Sequence, residues 1–372
     1  MGSTLDGHPM RPRRPSPDAR LDARSARTLR SRTRRRVWHH GAVQRLHVLE
    51  FIRHFDGVWN LPRIHVDELR RDFPSVEFSA PADQDQADRQ LPRAEVVLGW
   101  AVTAANFASA ARLEWIQVTA AGVGPLLFPA LVESKVVVTN GRGLHAVAMA
   151  EHTLAVLLAF ARKLHLARDA QRERRWIQDE LWSQLPGFGE LGGTTLGLVG
   201  LGSVGRAIAE RARALGTRVI AVRRHPARDA APADAQWGPE ALPRLLEESD
   251  WLVLAVPLTA ETRGLIGAPE LGRIKPGATL VNLGRGALVN EAALIDALAS
   301  GRIAGAALDV FEREPLDPGS PLWGMPQVIL TPHVSGLGPR YWERAVGLFR
   351  DNLGRFLAGE SLLNVVDKRA GY

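Results

Sequence analysis

Residues 194–226, TTLGLVGLGSVGRAIAERARALGTRVIAVRRHP, constrain this chain more than any other stretch. An apolar run, TLGLVG, leads into Gly200, Gly202 and Gly205; an amphipathic segment, SVGRAIAERARALG, then runs to Gly216 and a second apolar run, TRVIAV. A lone GxGxxG is weak evidence. One that leaves a strand and opens a helix has a mechanism: the first glycine makes the tight turn, the second admits a pyrophosphate to the backbone, and the third lets helix and strand pack closely. The phosphates would lie at the positive end of the helix.

About twenty residues further on, a dinucleotide unit selective for NAD carries an acid that holds the ribose hydroxyls. Arg223 stands at that place, with Arg224 beside it. A carboxylate would repel the extra phosphate of NADP, whereas a guanidinium grips it through charge-assisted, often bidentate hydrogen bonds. The expected cofactor is therefore NADP(H). In a chain with 43 Arg to 4 Lys, two solvated arginines that still accept NAD(H) form the alternative.

The same alternation continues downstream through WLVLAV, ATLVNL, AGAALDV and VILTPH. Near-continuous apolar strands are covered on both faces, which predicts a parallel, doubly wound sheet. Upstream, RLHVLEF, AEVVLGW, LEWIQVTAAGVG and KVVVTN outline a smaller α/β unit, and a long helix from Ala146 to about Trp176 joins the halves. The segment YWERAVGLFRDNLGRFLAG reads as an amphipathic helix able to pack back on the first half.

Composition narrows the class. The 372 residues suffice for two domains, and 45% hydrophobic with 23% charged residues is a globular balance. The absence of cysteine excludes disulfides and thiolate metal sites and makes a reducing cytoplasm the natural compartment. No metal is expected. The longest apolar helix is interrupted by Glu151 and His152, well short of the roughly 20 residues that span a bilayer, so no membrane segment is expected. That pair could suggest an acid/base couple, but adjacent helical residues point apart, and both read as structural.

The net charge of +7 sits in the first 45 residues, which hold twelve Arg, no Lys and three Asp. The remainder is slightly acidic. This argues against a nucleic-acid partner, except through the tail itself. With few large apolar residues and no hydrophobic core of a signal peptide, residues 1–45 are expected to be a disordered extension.

Arg285 in VNLGRGALVNEAAL, Glu314 in ALDVFEREPL and His333 in ILTPHVSG each fall just after a predicted strand, where ligands bind in doubly wound sheets. Hydride transfer to a carbonyl needs a proton donor at the oxygen and a cation for an adjacent carboxylate, and these three side chains suit those tasks. Singly, each would more often be structural.

Taken together, GLGSVG, NLGRGALVNEAAL, ALDVFEREPL and TPHVSG resemble the successive signatures of the D-isomer-specific 2-hydroxyacid dehydrogenases, over roughly residues 91 to 366. The resemblance implies two Rossmann-like domains, with the nucleotide domain (145–334) inserted in the substrate domain (46–144 and 335–372), and a homodimer. It also implies that His333 is the acid/base, that Glu314 pairs with it, and that Arg285 binds the substrate carboxylate and keto oxygen. In the loop TAAGVG, backbone N–H groups at Ala121 and Gly122 would hold the other side of that carboxylate. Ser203 and Val204 match pyrophosphate contacts, Val256 and Pro257 a strand end facing the nucleotide, Leu283 a position near the nicotinamide, and Asp309 an acid near the cofactor. Trp100 is either a wall of the substrate pocket or plain core.

This chain departs from the family pattern at Arg223, at HVSG, which lacks the usual small residues after the His, and in its tail. The substrates implied are glyoxylate and hydroxypyruvate. Phosphoglycerate, lactate, branched or aromatic 2-hydroxyacids are the enzymatic alternatives, the first disfavoured because no segment after residue 372 could form a regulatory domain. A nucleotide-sensing corepressor on the same fold is the alternative of another class.

Overall fold

The computed structural model describes residues 45–53, 59–183 and 188–371. The Arg-rich tail, whose disorder the sequence predicts, lies outside them up to residue 44.

Five strands make the first sheet: β1 (Leu46–Phe51), β2 (Val76–Ser79), β3 (Val96–Gly99), β4 (Trp115–Gln117) and β5 (Val137–Thr139). They lie in the order β2-β1-β3-β4-β5, all parallel. Seven strands make the second: β6 (Thr195–Val199), β7 (Arg218–Val222), β8 (Ala235–Trp237), β9 (Trp251–Leu254), β10 (Thr279–Asn282), β11 (Gly305–Leu308) and β12 (Val328–Leu330). Their order is β12-β11-β10-β9-β6-β7-β8, again all parallel. The direction of winding reverses between β6 and β9, which is where a dinucleotide lies across such a sheet.

Strand side chains alternate between faces, so a strand apolar at every position feeds two cores. Leu252, Leu254, Leu280 and Leu308 join one buried cluster of the second sheet, while Val253, Val281 and Ala307 join the other. The first sheet divides in the same way. Leu49, Val97 and Ile116 face one layer, and Val48, Val96, Leu98 and Trp115 face the layer covered by the helix Tyr341–Ala358. That helix brings Phe349 to a stack on Trp115, with ring centroids 5.3 Å apart, and Asn352 to the Gln117 side chain at 2.9 Å. Full burial of Phe349 alone contributes about 1.5–3 kcal/mol. Beyond it, Val366 N–H donates to Val138 O. The second sheet is therefore inserted into the chain path of the first.

The connecting helix is shorter than the sequence suggests. It breaks after Ala146–Ala161, where Lys163 takes a left-handed conformation at φ 55°, and a separate helix, Leu164–Arg172, follows. Apolar spacing continues across the break without a Gly or Pro, so periodicity alone could not reveal it. Among the described residues, no helix is long and apolar enough to cross a membrane.

Candidate active site

Parallel register brings the strand ends into one row. Val199, Leu254, Asn282, Leu308 and Leu330 are neighbours across the second sheet, so the residues just past them share its carboxyl edge, about 4.8 Å apart per strand. Gly200, Val256 and Pro257, Leu283 to Arg285, Asp309, and Thr331 to His333 all fall there. Segments 130 residues apart thus meet at one edge.

At Gly200 the chain leaves β6 with φ +103°, a conformation that penalises any side chain, and a Cβ would stand 2.6 Å from Ala255 O. A Cβ on Gly205 would collide with the Gly200 carbonyl, whereas one on Gly202 would meet nothing within 4 Å. Two glycines thus close the turn on itself, and the third faces open space beside the first turn of the helix Ser203–Ala214. The open cradle at a positive helix end fits a pyrophosphate. Ser203 and Val204 form that first turn, with Gly143 close enough that its Cβ would lie 3.8 Å from Ser203 Cβ.

Arg223 and Arg224 follow β7, on the far side of β6 from Arg285 and His333. Arg223 is half-buried, and Arg224 is exposed with Nη2 donating to Glu261 Oε2 at 3.0 Å. On the other side of β6, Val256 is partly buried and Pro257 exposed, and the Val256 carbonyl passes so near Gly284 that a Cβ there would stand 2.8 Å from it. Leu283 is buried beneath this edge.

Arg285 sits in a loop pinned by Asn282, whose Oδ1 accepts from Gly284 N–H at 3.1 Å and whose Nδ2 donates to Arg285 O at 3.0 Å. Its guanidinium donates to Gly284 O at 2.7 Å and reaches the first half of the chain: a Cβ on Gly122 would lie 2.9 Å from Arg285 Nη2. Beside Gly122, Ala121 is exposed, and its carbonyl accepts from Asn140 Nδ2 at 2.8 Å. A positive charge and the TAAGVG loop therefore stand against each other.

His333 occupies a left-handed turn at φ 55°. Its Nδ1 lies 2.8 Å from Glu314 Oε2, and Glu314 Oε1 accepts from Phe311 N–H at 3.1 Å. With Nδ1–H donating to the carboxylate, Nε2 is the nitrogen left to meet a ligand. The imidazole is about half exposed, so a ligand can reach it.

Beneath the turn lies a buried carboxylate. Asp309, 1% exposed, accepts from Thr331 Oγ1 at 2.6 Å and from the N–H groups of Val334 and Ser335 at 2.9 Å each, while its own carbonyl accepts from His333 N–H. The sequence pointed to Asp309 as an acid near the cofactor; the structure makes it the anchor of the His333 turn. Because the Thr331 hydroxyl donates to Asp309, it accepts from His152 Nε2 at 3.3 Å. Burial holds the His152 pKa below its ordinary value, with Asp309 opposing the shift more weakly. Glu151 is exposed, away from this network.

Trp100 follows β3, donates its backbone N–H to Phe51 O at 2.8 Å, and packs half-buried against the cluster of Phe51 and Val102. Sequence reasoning missed Asn282 and Glu261. Asn282 was legible as the polar residue ending an apolar strand, but nothing in the sequence signals that Glu261 meets an arginine 37 residues earlier.

Residues 154–335 match the model of the D-isomer specific 2-hydroxyacid dehydrogenase NAD binding domain. A glyoxylate reductase of Korarchaeum cryptofilum is 36% identical over 72% of this chain and 80% of its own length. The D-3-phosphoglycerate dehydrogenase of Archaeoglobus fulgidus is 33% identical over 73% of this chain, which spans only 51% of that relative. Among solved structures, the D-isomer-specific 2-hydroxyacid dehydrogenase of Xanthobacter autotrophicus Py2, in complex with NADPH, aligns at TM-score 0.75 and 32% identity, covering 88% of this chain and all of that one. An NADPH-dependent glyoxylate/hydroxypyruvate reductase of Sinorhizobium meliloti aligns at TM-score 0.73 and 27% identity, with the same coverage of both chains.

Proposed function

The chain belongs to the D-isomer-specific 2-hydroxyacid dehydrogenase family, and on that premise we propose that it reduces a small 2-oxoacid, glyoxylate or hydroxypyruvate, with NADPH. What supports this reading is that His333, paired with Glu314, and Arg285, set against Gly122, follow strands that end along the same carboxyl edge.

The loop from Gly200 through Ser203 and Val204 to Gly205 cradles the pyrophosphate, Val256, Pro257, Leu283 and Asp309 lie along the nucleotide, and Arg223 with Arg224 receives the 2′-phosphate. When bound, the dihydronicotinamide supplies the hydride that the carbonyl carbon accepts. Arg285 binds the substrate carboxylate and keto oxygen through paired N–H donors, and the backbone N–H groups of Ala121 and Gly122 take the carboxylate from the other side. His333, as imidazolium, donates its Nε2 proton to the keto oxygen as that oxygen becomes an alkoxide, while Glu314 holds Nδ1–H and stabilises the ring cation. Trp100 lines the substrate side. Residues 46–144 with 335–372 serve as the substrate domain and 145–334 as the nucleotide domain, in a cytoplasmic homodimer.

The similarity to D-3-phosphoglycerate dehydrogenases favours a phosphorylated three-carbon acid as the second reading. Both are tested by following oxidation of NADPH, and separately NADH, with glyoxylate, hydroxypyruvate, 3-phosphohydroxypyruvate, pyruvate and phenylpyruvate. Fast turnover of the two small acids with NADPH is expected. Turnover restricted to another acid would move the substrate assignment, and equal efficiency with NADH would remove the cofactor assignment.

A further inference from the structure

The two arginines after β7 are held differently. Among the described residues, Arg223 engages only its backbone N–H, on Trp237 O, whereas the Arg224 guanidinium is paired with Glu261 at 3.0 Å. Glu261 lies in the loop that follows β9, so the pair reaches over β6, across the line where the winding of the sheet reverses.

The loop fixes its carboxylate. Thr259 Oγ1 donates to the same Glu261 Oε2 at 2.8 Å, Thr259 N–H donates to Thr262 Oγ1 at 2.7 Å, and Thr262 Oγ1 donates to Pro257 O at 2.7 Å. Glu261 and Arg224 are both exposed, but the Glu261 carboxylate is tied at its tip to a hydrogen-bonded turn as well as to the arginine. The Thr259 hydroxyl, a backbone N–H and Arg224 together hold the Glu261 carboxyl below its ordinary pKa, so it is anionic at neutral pH.

We infer that Glu261 is a specificity-determining residue of the nucleotide site: it is the resident counterion of Arg224, and a 2′-phosphate must take its place. This rests on the NADP(H) reading above. The exchange is of one anion for another on the same guanidinium. A dinucleotide without the 2′-phosphate leaves the Arg224–Glu261 pair intact, whereas one that carries it must break that pair or share the arginine beside a fixed negative charge. Glu261 therefore restrains the preference that Arg223 and Arg224 create.

Glu261→Gln removes the charge and keeps an oxygen that can accept from Thr259. Calorimetric titration of the full chain with adenosine 2′,5′-bisphosphate and with AMP isolates the 2′-phosphate without relying on turnover. The expected result is bisphosphate binding about two- to five-fold tighter in the variant, the scale of one exposed ion pair, with AMP affinity unchanged. Unchanged bisphosphate affinity, or equal tightening of both ligands, would overturn the inference. Weaker bisphosphate binding would overturn it too, by making Glu261 a brace that aims Arg224. If the unmodified protein shows no preference for the bisphosphate, the NADP(H) reading falls and this inference with it; a preference that Glu261→Gln leaves untouched removes the inference alone.

Discussion

His333 Nδ1 and Glu314 Oε2, from residues 19 apart in the chain, stand 2.8 Å from each other. The contact fixes which ring nitrogen is spoken for and leaves Nε2 to act on a ligand. His333→Gln keeps a polar side chain but no group able to deliver a proton at neutral pH. Turnover should fall by about 10²- to 10⁴-fold, while NADPH affinity, read from tryptophan fluorescence, stays within about two-fold. Turnover that survives would mean the proton comes from elsewhere.

Gly122 is tight against Arg285. In Gly122→Ala the new methyl group would stand 2.9 Å from Nη2, and the guanidinium must yield because it is the flexible partner. A displacement of that kind at a binding group should raise KM for the 2-oxoacid roughly ten- to hundred-fold and leave nucleotide binding alone. Steady-state kinetics beside a nucleotide titration would show the split; unaltered KM would place the carboxylate site elsewhere.

The Asp309 carboxylate accepts three hydrogen bonds while almost wholly buried. An amide in its place presents a donor where the chain also offers donors. Asp309→Asn should cost about 2–4 kcal/mol, visible as a Tm lower by roughly 3–6 °C, and turnover should fall with it because the His333 turn loses its anchor. A thermal unfolding curve that superimposes on that of the parent would refute this.

Burial holds His47, His152 and His165 below the ordinary histidine pKa. Unfolding frees all three to bind protons at their usual value. Below about pH 6.5 the unfolded state therefore takes up more protons than the native one, and stability is lost as pH falls through that value toward the folded pKa values. Tm should be level above neutrality and decline as the pH falls below about 6.5. A His47→Gln, His152→Gln double variant should show a shallower acid decline than the parent; identical slopes would assign the acid sensitivity to other groups.

Much of the architecture was legible because the strands that matter most are apolar throughout. All ten strands longer or more apolar than their neighbours announced themselves, while β2 and β8 did not, being short edge strands of mixed polarity, VEFS and AQW. The break at Lys163 was invisible for the opposite reason, since the helical spacing never falters there. At the site, strand ends revealed Arg285, Glu314 and His333 and the family resemblance pointed to Asp309, whereas the work Asp309 does under the turn and the meeting of Arg224 with Glu261 depend on loop geometry that no local pattern encodes.

The return of the helix Tyr341–Ala358 to the first sheet sets an order of assembly. Gln117 and Asn352 are 235 residues apart, so at ordinary translation rates of about 5–20 residues per second β4 waits on the order of 10–50 s for the surface that covers it. The face that carries Val48, Val96, Leu98 and Trp115 gains Val66 and Leu69 of the helix Arg63–Asp72 early, but waits for Phe349 and Leu353 while the entire inserted sheet emerges. During synthesis, the half that starts the fold is the half that finishes it, and its half-covered apolar face is where a holding chaperone would be needed.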